Sequence, residues 1–184
     1  MKRLFSLIAI TLLTCFCLAP DAAKDLKPGL LGEYYDMGSD AVEDFPSIPA
    51  DKKPTIKLID KKLDFESTSE ALGNSKLEDH FYVRWTGVIR IPKDGKYKFT
   101  LESDDGSRLF IDNKQVVDNN GLHAMEEKDG EADLKAGDHP IKVELFENEG
   151  EVGMKLSWEG AGLTKEIIPT SALFHEKDKD ADKD

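Results

Sequence analysis

The stretch YVRWTGVIRIPKDGKYKFTLESDDGSRLFIDNKQVVD, Tyr82 to Asp118, decides the fold. Apolar side chains recur at every second position, which is the period of a β-strand that buries one face. The polar segments PKDG and DNK interrupt this alternation and are typical of tight turns. The stretch therefore predicts consecutive antiparallel strands. The side chains predicted to face the core are Val83, Trp85, Ile89, Ile91, Tyr97, Phe99, Leu101, Leu109 and Ile111.

The same period continues towards the C-terminus in the segments HPIKVELFE and GMKLSW. Many short strands separated by turns indicate an all-β protein, an antiparallel β-sandwich or jelly-roll-like barrel. Residues 36–54 read as irregular, and residues 66–79 as a short helix or a loop. The further side chains predicted to face the core are Ile141, Val143, Leu145, Met154, Leu156 and Trp158.

Chain length and charge limit the classes of function. The 184 residues suffice for one domain with a sizeable core. The formal net charge of -12 repels nucleic acid and anionic membranes, so neither is expected as a partner. Neutral ligands, cations and basic proteins remain as candidate partners.

The N-terminus reads as a secretory signal over residues 1–23. Lys2 and Arg3 precede an apolar segment, residues 4–19, which is shorter than a membrane-spanning helix. We therefore expect an exported protein, periplasmic, secreted or at the cell surface, with no transmembrane segment after the signal. Lipid anchoring at Cys15 is an alternative to simple cleavage, and an uncleaved anchor is disfavoured by the short apolar length.

Both cysteines, Cys15 and Cys17, lie inside the signal, so the mature chain is expected to fold without disulfides. At the other end, residues 175–184 alternate in charge and are almost without apolar side chains. They are predicted to be disordered. The folded domain is predicted to span residues 28–174.

Four blocks resemble the PA14 domain family, named for the N-terminal fragment of a bacterial protective-antigen toxin subunit. They are GLLGEYY, VRWTGVIRIPKDGKYKFTLESDDGSRLFIDNKQVVDN, LKAGDHPIKVELFENEGEVGMKLSW and IIPTSALF, in family order. The resemblance implies a jelly-roll-like β-sandwich. Several members are calcium-dependent lectins and others have no known ligand, so it implies a binding module more than a particular ligand.

The resemblance also implies a calcium site. In the sugar-binding members, two aspartates that match Asp104 and Asp105 are joined by a cis peptide bond and bind Ca²⁺. Asn148 falls at the asparagine position of the second loop, where backbone carbonyls around Gly150 and Val152 are the expected companions. Calcium prefers six to eight oxygen ligands, so water or two sugar hydroxyls would complete the set.

Other residues are weaker candidates. Gly106, His123 and Glu149 are the candidate ligand-binding residues, although loop chemistry alone explains His123. Asp-Asp-Gly is also common turn chemistry. Glu147, Glu149 and Glu151 either assist a cation or form a solvated loop edge, and we expect the second.

Trp85 and Trp158 could stack on sugar rings, but the alternation places both on the inward face of a strand, which indicates core packing.

The predicted function is a carbohydrate-binding module that recognises the hydroxyls of a neutral polysaccharide or other glycan through Ca²⁺. The alternative is a metal-free structural or protein-interaction module of the cell envelope, with another envelope protein as partner and accessory to glycan-degrading enzymes. We do not expect an enzyme, because no nucleophile elbow, zinc-protease helix or phosphate loop occurs.

Overall fold

The computed structural model describes residues 25–178 and residue 181, and these form a sandwich of two antiparallel β-sheets. This confirms the all-β prediction. One sheet, sheet A, contains β1 (Leu26–Pro28), β2 (Leu30–Asp36), β3 (Ile56–Asp60), β5 (Phe81–Ile91), β7 (Ser107–Ile111), β8 (Lys114–Asn119), β10 (Gly137–Glu147) and β13 (Leu173–Glu176). The other, sheet B, contains β4 (Asp64–Thr68), β6 (Gly95–Asp104), β9 (Glu126–Leu134), β11 (Val152–Gly160) and β12 (Leu163–Ile167). A turn of 3₁₀ helix, Thr170–Ala172, precedes β13.

The strand order places two connections between the sheets at one end of the sandwich. In sheet A the order is β1-β13-β5-β10-β7-β8, with β2 also paired to β5 and β3 to β2. In sheet B the order is β12-β11-β6-β9, with β4 also paired to β11. The chain passes from sheet B to sheet A between β6 and β7, and back again between β10 and β11. Both crossings lie at the same end of the sandwich, because Asp104 pairs with Gly153 and Ser107 pairs with Leu145.

The core between the sheets is the one that period-two alternation predicts. Every side chain predicted to face inward is buried, including Trp85 and Trp158. The Trp85 indole N–H donates to Asp60 Oδ2 at 2.8 Å, and the Tyr34 hydroxyl donates to the same oxygen at 2.7 Å. These two buried polar groups are thus satisfied by one carboxylate oxygen, as stability requires.

Two regions differ from simple alternation. The acidic strand Glu126–Leu134 was not predicted, because it is an edge strand of sheet B and polar side chains occupy both of its faces. Residues 66–79, read as a short helix or a loop, contain the end of β4 followed by a loop with no helix.

The irregular segment predicted at residues 36–54 packs on the outer face of sheet A. Val42 and Phe45 there cover Tyr35, Tyr82 and Phe146, which point away from the main core. The Phe45 ring meets the Phe146 ring edge-on at 5.0 Å between centroids. This second apolar cluster holds the segment close to the end of β10.

The termini extend the domain slightly. The sheet runs from Leu26 to Glu176, beyond the predicted limits of 28 and 174, because His175 is buried and its ring contacts the Gly29 carbonyl at 3.0 Å. Asp178 forms an ion pair with Lys57 at 2.8 Å. The predicted signal with Cys15, and residues 179, 180 and 182–184 of the tail, lie outside the described residues. Within the described part of the chain, no helix has the length and hydropathy needed to cross a bilayer.

Candidate metal centre

The two adjacent acids lie where the chain crosses from sheet B to sheet A. Asp104 ends β6, Asp105 follows it, and the peptide bond between them is cis. Their relative exposures are only 7% and 5%. A pair of aspartates in an exposed turn would be solvated on all sides, so this burial sets the pair apart from ordinary turn chemistry.

Backbone amides hold the Asp105 carboxylate in place. Oδ1 accepts a hydrogen bond from the His123 N–H at 2.9 Å, and Oδ2 accepts one from the Asn148 N–H at 3.1 Å. Asp105 therefore connects the loop after β8 with the loop after β10. Each carboxylate oxygen keeps a lone pair for a further partner.

The Asp104 carboxylate is less well compensated. Burial, and after it the negative charge of Asp105, raise the pKa of Asp104 to about 6. A backbone hydrogen bond from Met125 opposes this rise. A nearby cation would favour the ionised carboxylate by the same physics.

Glu147 is a third carboxylate at this position, on the last residue of β10. Glu147, Asp104 and Asp105 each offer an oxygen, and these oxygens all lie within 4.8 Å of one another. Glu147 is fully buried, which corrects the expectation that it belongs to a solvated loop edge. Burial, and then the charge of Asp105, raise the pKa of Glu147 to about 8.

The alternation of side chains along β10 accounts for the inward position of Glu147. Glu147 has the same parity as Ile141, Val143 and Leu145, so it continues the inward face of the strand. Because glutamate is charged, a pattern of apolar residues does not by itself mark Glu147 as facing inward. Glu149 and Glu151 are exposed and do form the solvated edge that was expected.

Asn148 lies at the site, but its side chain has a partner elsewhere. Asn148 Oδ1 accepts a hydrogen bond from the Val42 N–H at 2.9 Å, and its backbone carbonyl accepts one from the His80 N–H at 2.9 Å. Through these bonds Asn148 anchors the segment that covers sheet A. An amide oxygen has two lone pairs, so one remains available for a ligand.

A cavity of about 430 Å³ opens above the two aspartates. It is lined by Asp104, Asp105, Leu122, His123, Ala124, Asn148, Glu149 and Glu151. Leu122 is 51% exposed and is the large apolar side chain with the greatest exposure among the described residues. Nothing in the sequence pattern marked Leu122, because it stands alone in a polar loop.

The remaining predicted residues are placed around this cavity rather than in it. The Gly106 carbonyl accepts from the Phe146 N–H at 3.0 Å, and a Cβ on Gly106 would lie 2.3 Å from the Phe146 ring. Gly150 is exposed in the second loop, and Val152 is buried in the core. The predicted residues that line the cavity are therefore Asp104, Asp105, His123, Asn148 and Glu149.

The chemistry of this donor set is that of a hard cation. Carboxylate oxygens of Asp104, Asp105 and Glu147 converge, and neither cysteine lies among the described residues. Oxygen-only donors suit Ca²⁺ better than zinc or copper, which favour nitrogen and sulfur. The buried Glu147 Oε1 also has no hydrogen-bond partner in the part of the chain that the structure describes. The residues present therefore fit a calcium ion.

The chain matches the model of one known protein family. The family model described as "PA14 domain" matches residues 26–172. The chain belongs to the PA14 domain family. The cis-linked acids thus lie within a PA14 domain that occupies nearly all of the described residues.

Two similar proteins are longer than this chain. The anti-sigma-I factor RsgI3 of Acetivibrio thermocellus is 31% identical over 147 residues, which cover 79% of this chain and 21% of the relative. A solved anti-sigma factor domain-containing protein from Clostridium clariflavum has 30% identity and a TM-score of 0.69, and the match covers 83% of this chain and 49% of that chain. The chain thus spans about a fifth to a half of these relatives.

A solved "PA14 sugar-binding domain from RTX adhesin" has the same fold, with a TM-score of 0.67. The match covers 80% of this chain and 98% of that domain, at 22% identity. At this identity the likeness shows a shared fold.

Proposed function

We propose that this PA14 domain is a carbohydrate-binding module that recognises sugar hydroxyls through a calcium ion held at Asp104 and Asp105. The observation that carries the proposal is the pair of buried carboxylates at the floor of an open cavity. Burial of two adjacent acids with no cationic side chain of the described residues bonded to them is unfavourable, and the raised pKa of Asp104 is consistent with this. Asn148 lies beside them as the predicted third ligand.

The open side of the cavity supports a ligand with hydroxyl groups. Calcium accepts more oxygen ligands than the two aspartates supply, and neighbouring sugar hydroxyls can take coordination positions otherwise filled by water. Glu149 and Glu151 at the rim make the surroundings negative, which favours a neutral glycan over an acidic one. The fold shared with the sugar-binding domain of the RTX adhesin agrees with this assignment.

The site favours binding over catalysis. Glycosidases use two carboxyl groups that flank a glycosidic bond, one with a raised pKa, and carboxyl groups about 5 Å apart would fit a retaining mechanism. Asp104 also has a raised pKa, but it is adjacent to Asp105 at the floor of the cavity, so these two carboxyl groups do not flank a bond from opposite sides. Glu147 has the higher pKa but is fully buried and does not line the cavity. It is therefore out of reach of a substrate, and we propose a non-enzymatic module.

We further propose that the protein acts outside the cytoplasm, where glycans of the cell envelope or of the surroundings are its partners. The apolar segment at residues 4–19 supports export, and lipid anchoring at Cys15 stays part of the proposal.

Calcium should stabilise the protein and switch on glycan binding. A ligand that binds only the folded state stabilises it by about 2.7 kcal/mol at one hundred times its dissociation constant. Millimolar calcium should therefore raise the melting temperature by several degrees, and EDTA should reverse the rise. A glycan array probed with the labelled protein should show binding to neutral glycans in calcium and none in EDTA.

The outcomes separate the candidate functions. A calcium-dependent melting shift without glycan binding would leave the ion a structural role and defeat the carbohydrate proposal. Absence of both effects would favour the metal-free interaction module.

A further inference from the structure

Glu147 carries a buried oxygen for which the fold provides no partner. Its Oε2 accepts a hydrogen bond from the Asp105 N–H at 3.1 Å. Its Oε1 is buried and has no partner among residues 25–178 and 181. An unsatisfied buried carboxylate oxygen is uncommon in folded proteins and unfavourable, so it calls for an explanation in terms of a missing partner.

The surroundings of Glu147 add negative charge rather than removing it. Asp104 and Asp105 place carboxylate oxygens within 4.8 Å of the Glu147 carboxylate. None of the ion pairs formed by the described residues joins a basic side chain to Glu147. A bound cation would satisfy Oε1 and compensate all three acids together, whereas the proton that the raised pKa of Glu147 implies would neutralise one of them.

Glu144, three residues earlier on the same strand, is a buried glutamate whose partners can be compared with those of Glu147. Its carboxylate accepts from the Tyr82 hydroxyl at 2.7 Å, from Arg108 at 2.9 Å and from Lys142 at 3.1 Å. The Tyr82 hydrogen bond and the charges of Lys142 and Arg108 outweigh burial and lower the pKa of Glu144. Glu147 is equally buried but lacks such partners.

We propose that Glu147 is a third carboxylate ligand of the bound cation, so that the site presents three negative charges from Asp104, Asp105 and Glu147. This inference rests on the proposed cation site and goes beyond it by adding a ligand from β10. Asn148 then has mainly a positioning role, because its Oδ1 fixes the Val42 segment and its N–H fixes Asp105. A site with three carboxylates should also retain a divalent cation strongly against monovalent ions.

Glu147→Gln tests the proposal, because it weakens an ion ligand while leaving an acceptor for the Asp105 N–H. Glutamine keeps the size of the side chain and an oxygen for the Asp105 N–H, but removes the charge. In EDTA, Glu147→Gln should melt at the same temperature as the wild type or higher, since without an ion the wild-type Glu147 either keeps a proton, as its pKa of about 8 implies, or carries a buried repulsive charge. In calcium it should melt lower than the wild type, and isothermal titration should show calcium affinity reduced at least about tenfold.

Glu144→Gln is the matched control, as a second buried glutamate on β10. It should melt lower than the wild type in EDTA, because Arg108 and Lys142 lose a charged partner. Its calcium affinity should equal that of the wild type.

Three results would overturn the proposal. If Glu147→Gln binds calcium like the wild type, Glu147 is not a ligand, and the proposed function at Asp104 and Asp105 still stands. If Glu147→Gln is destabilised or unfolded in EDTA, the carboxyl group of Glu147 stabilises the fold without an ion, and the proposed ligand role fails. If the wild type binds no calcium by titration, the proposed function and this inference fail together.

Discussion

Asp104→Asn is expected to abolish the response of the protein to calcium while leaving the β-sandwich folded. Asparagine keeps the size of the side chain and an oxygen that can accept the Met125 hydrogen bond. It removes one of the charges that attract the ion, and it relieves the repulsion between Asp104 and Asp105. The melting temperature in EDTA should therefore not fall, whereas the rise of several degrees in calcium should disappear.

The same substitution should remove glycan binding, because the sugar is proposed to bind through the ion. Asp51→Asn is the control for a general change in charge, since Asp51 is exposed and does not line the cavity. It should preserve both the calcium shift and the glycan signal. If Asp104→Asn retains the calcium shift, the ion does not bind at this pair of acids.

Trp85→Ala is expected to have the largest effect on stability, about 3–5 kcal/mol. Trp85 is fully buried, meets the Tyr34 ring edge-on at 5.9 Å between centroids and stacks on Phe65 at 6.4 Å. Alanine would leave a large cavity and remove the N–H that donates to Asp60. Thermal unfolding should show a fall in the melting temperature on the order of 10 °C.

Trp85→Phe separates packing from hydrogen bonding. It should cost less than the alanine substitution, since most of the ring volume remains and Tyr34 still donates to Asp60. Because Trp85 lies in the core, calcium-dependent glycan binding of the folded Trp85→Phe protein should equal that of the wild type. A folded variant that has lost glycan binding would instead support a sugar-stacking role for Trp85.

The sequence predicts the core well because one physical rule dominates there. In strands that bury one face, apolar side chains must alternate, so Val143 and Leu145 or Leu156 and Trp158 mark the interior without further information. The edge strand β9 escapes the rule. Both of its faces are largely polar, and its pairing with β6 shows only in three dimensions.

The site is predictable in a different way. Nothing in the spacing of Asp104 and Asp105 shows that they are buried, so their role came from the resemblance to PA14 domains. The partner of Asn148, the Val42 N–H, lies 106 positions away and has no signature in the local sequence. The position of Glu147 in the alternation of β10 indicates that it faces inward. A charged residue at an inward position is expected only where another group compensates its charge, and the sequence alone does not identify that group.

The loop between β8 and β9 can vary in sequence separately from the acids of the site. It contributes Leu122, His123 and Ala124 to the rim, whereas the acids at the floor come from β6 and from the crossing after it, with the Glu147 carboxylate of β10 close to them. The loop is tied to the floor by the backbone amides of His123 and Met125, which donate to Asp105 and Asp104, whereas the Leu122 side chain is half exposed. Substitutions of the Leu122 side chain can therefore accumulate without disturbing the carboxylates. The proposed ion ligands and the rim side chains therefore lie on separate segments, so a protein engineer can change the rim to alter the proposed ligand preference while keeping the carboxylates.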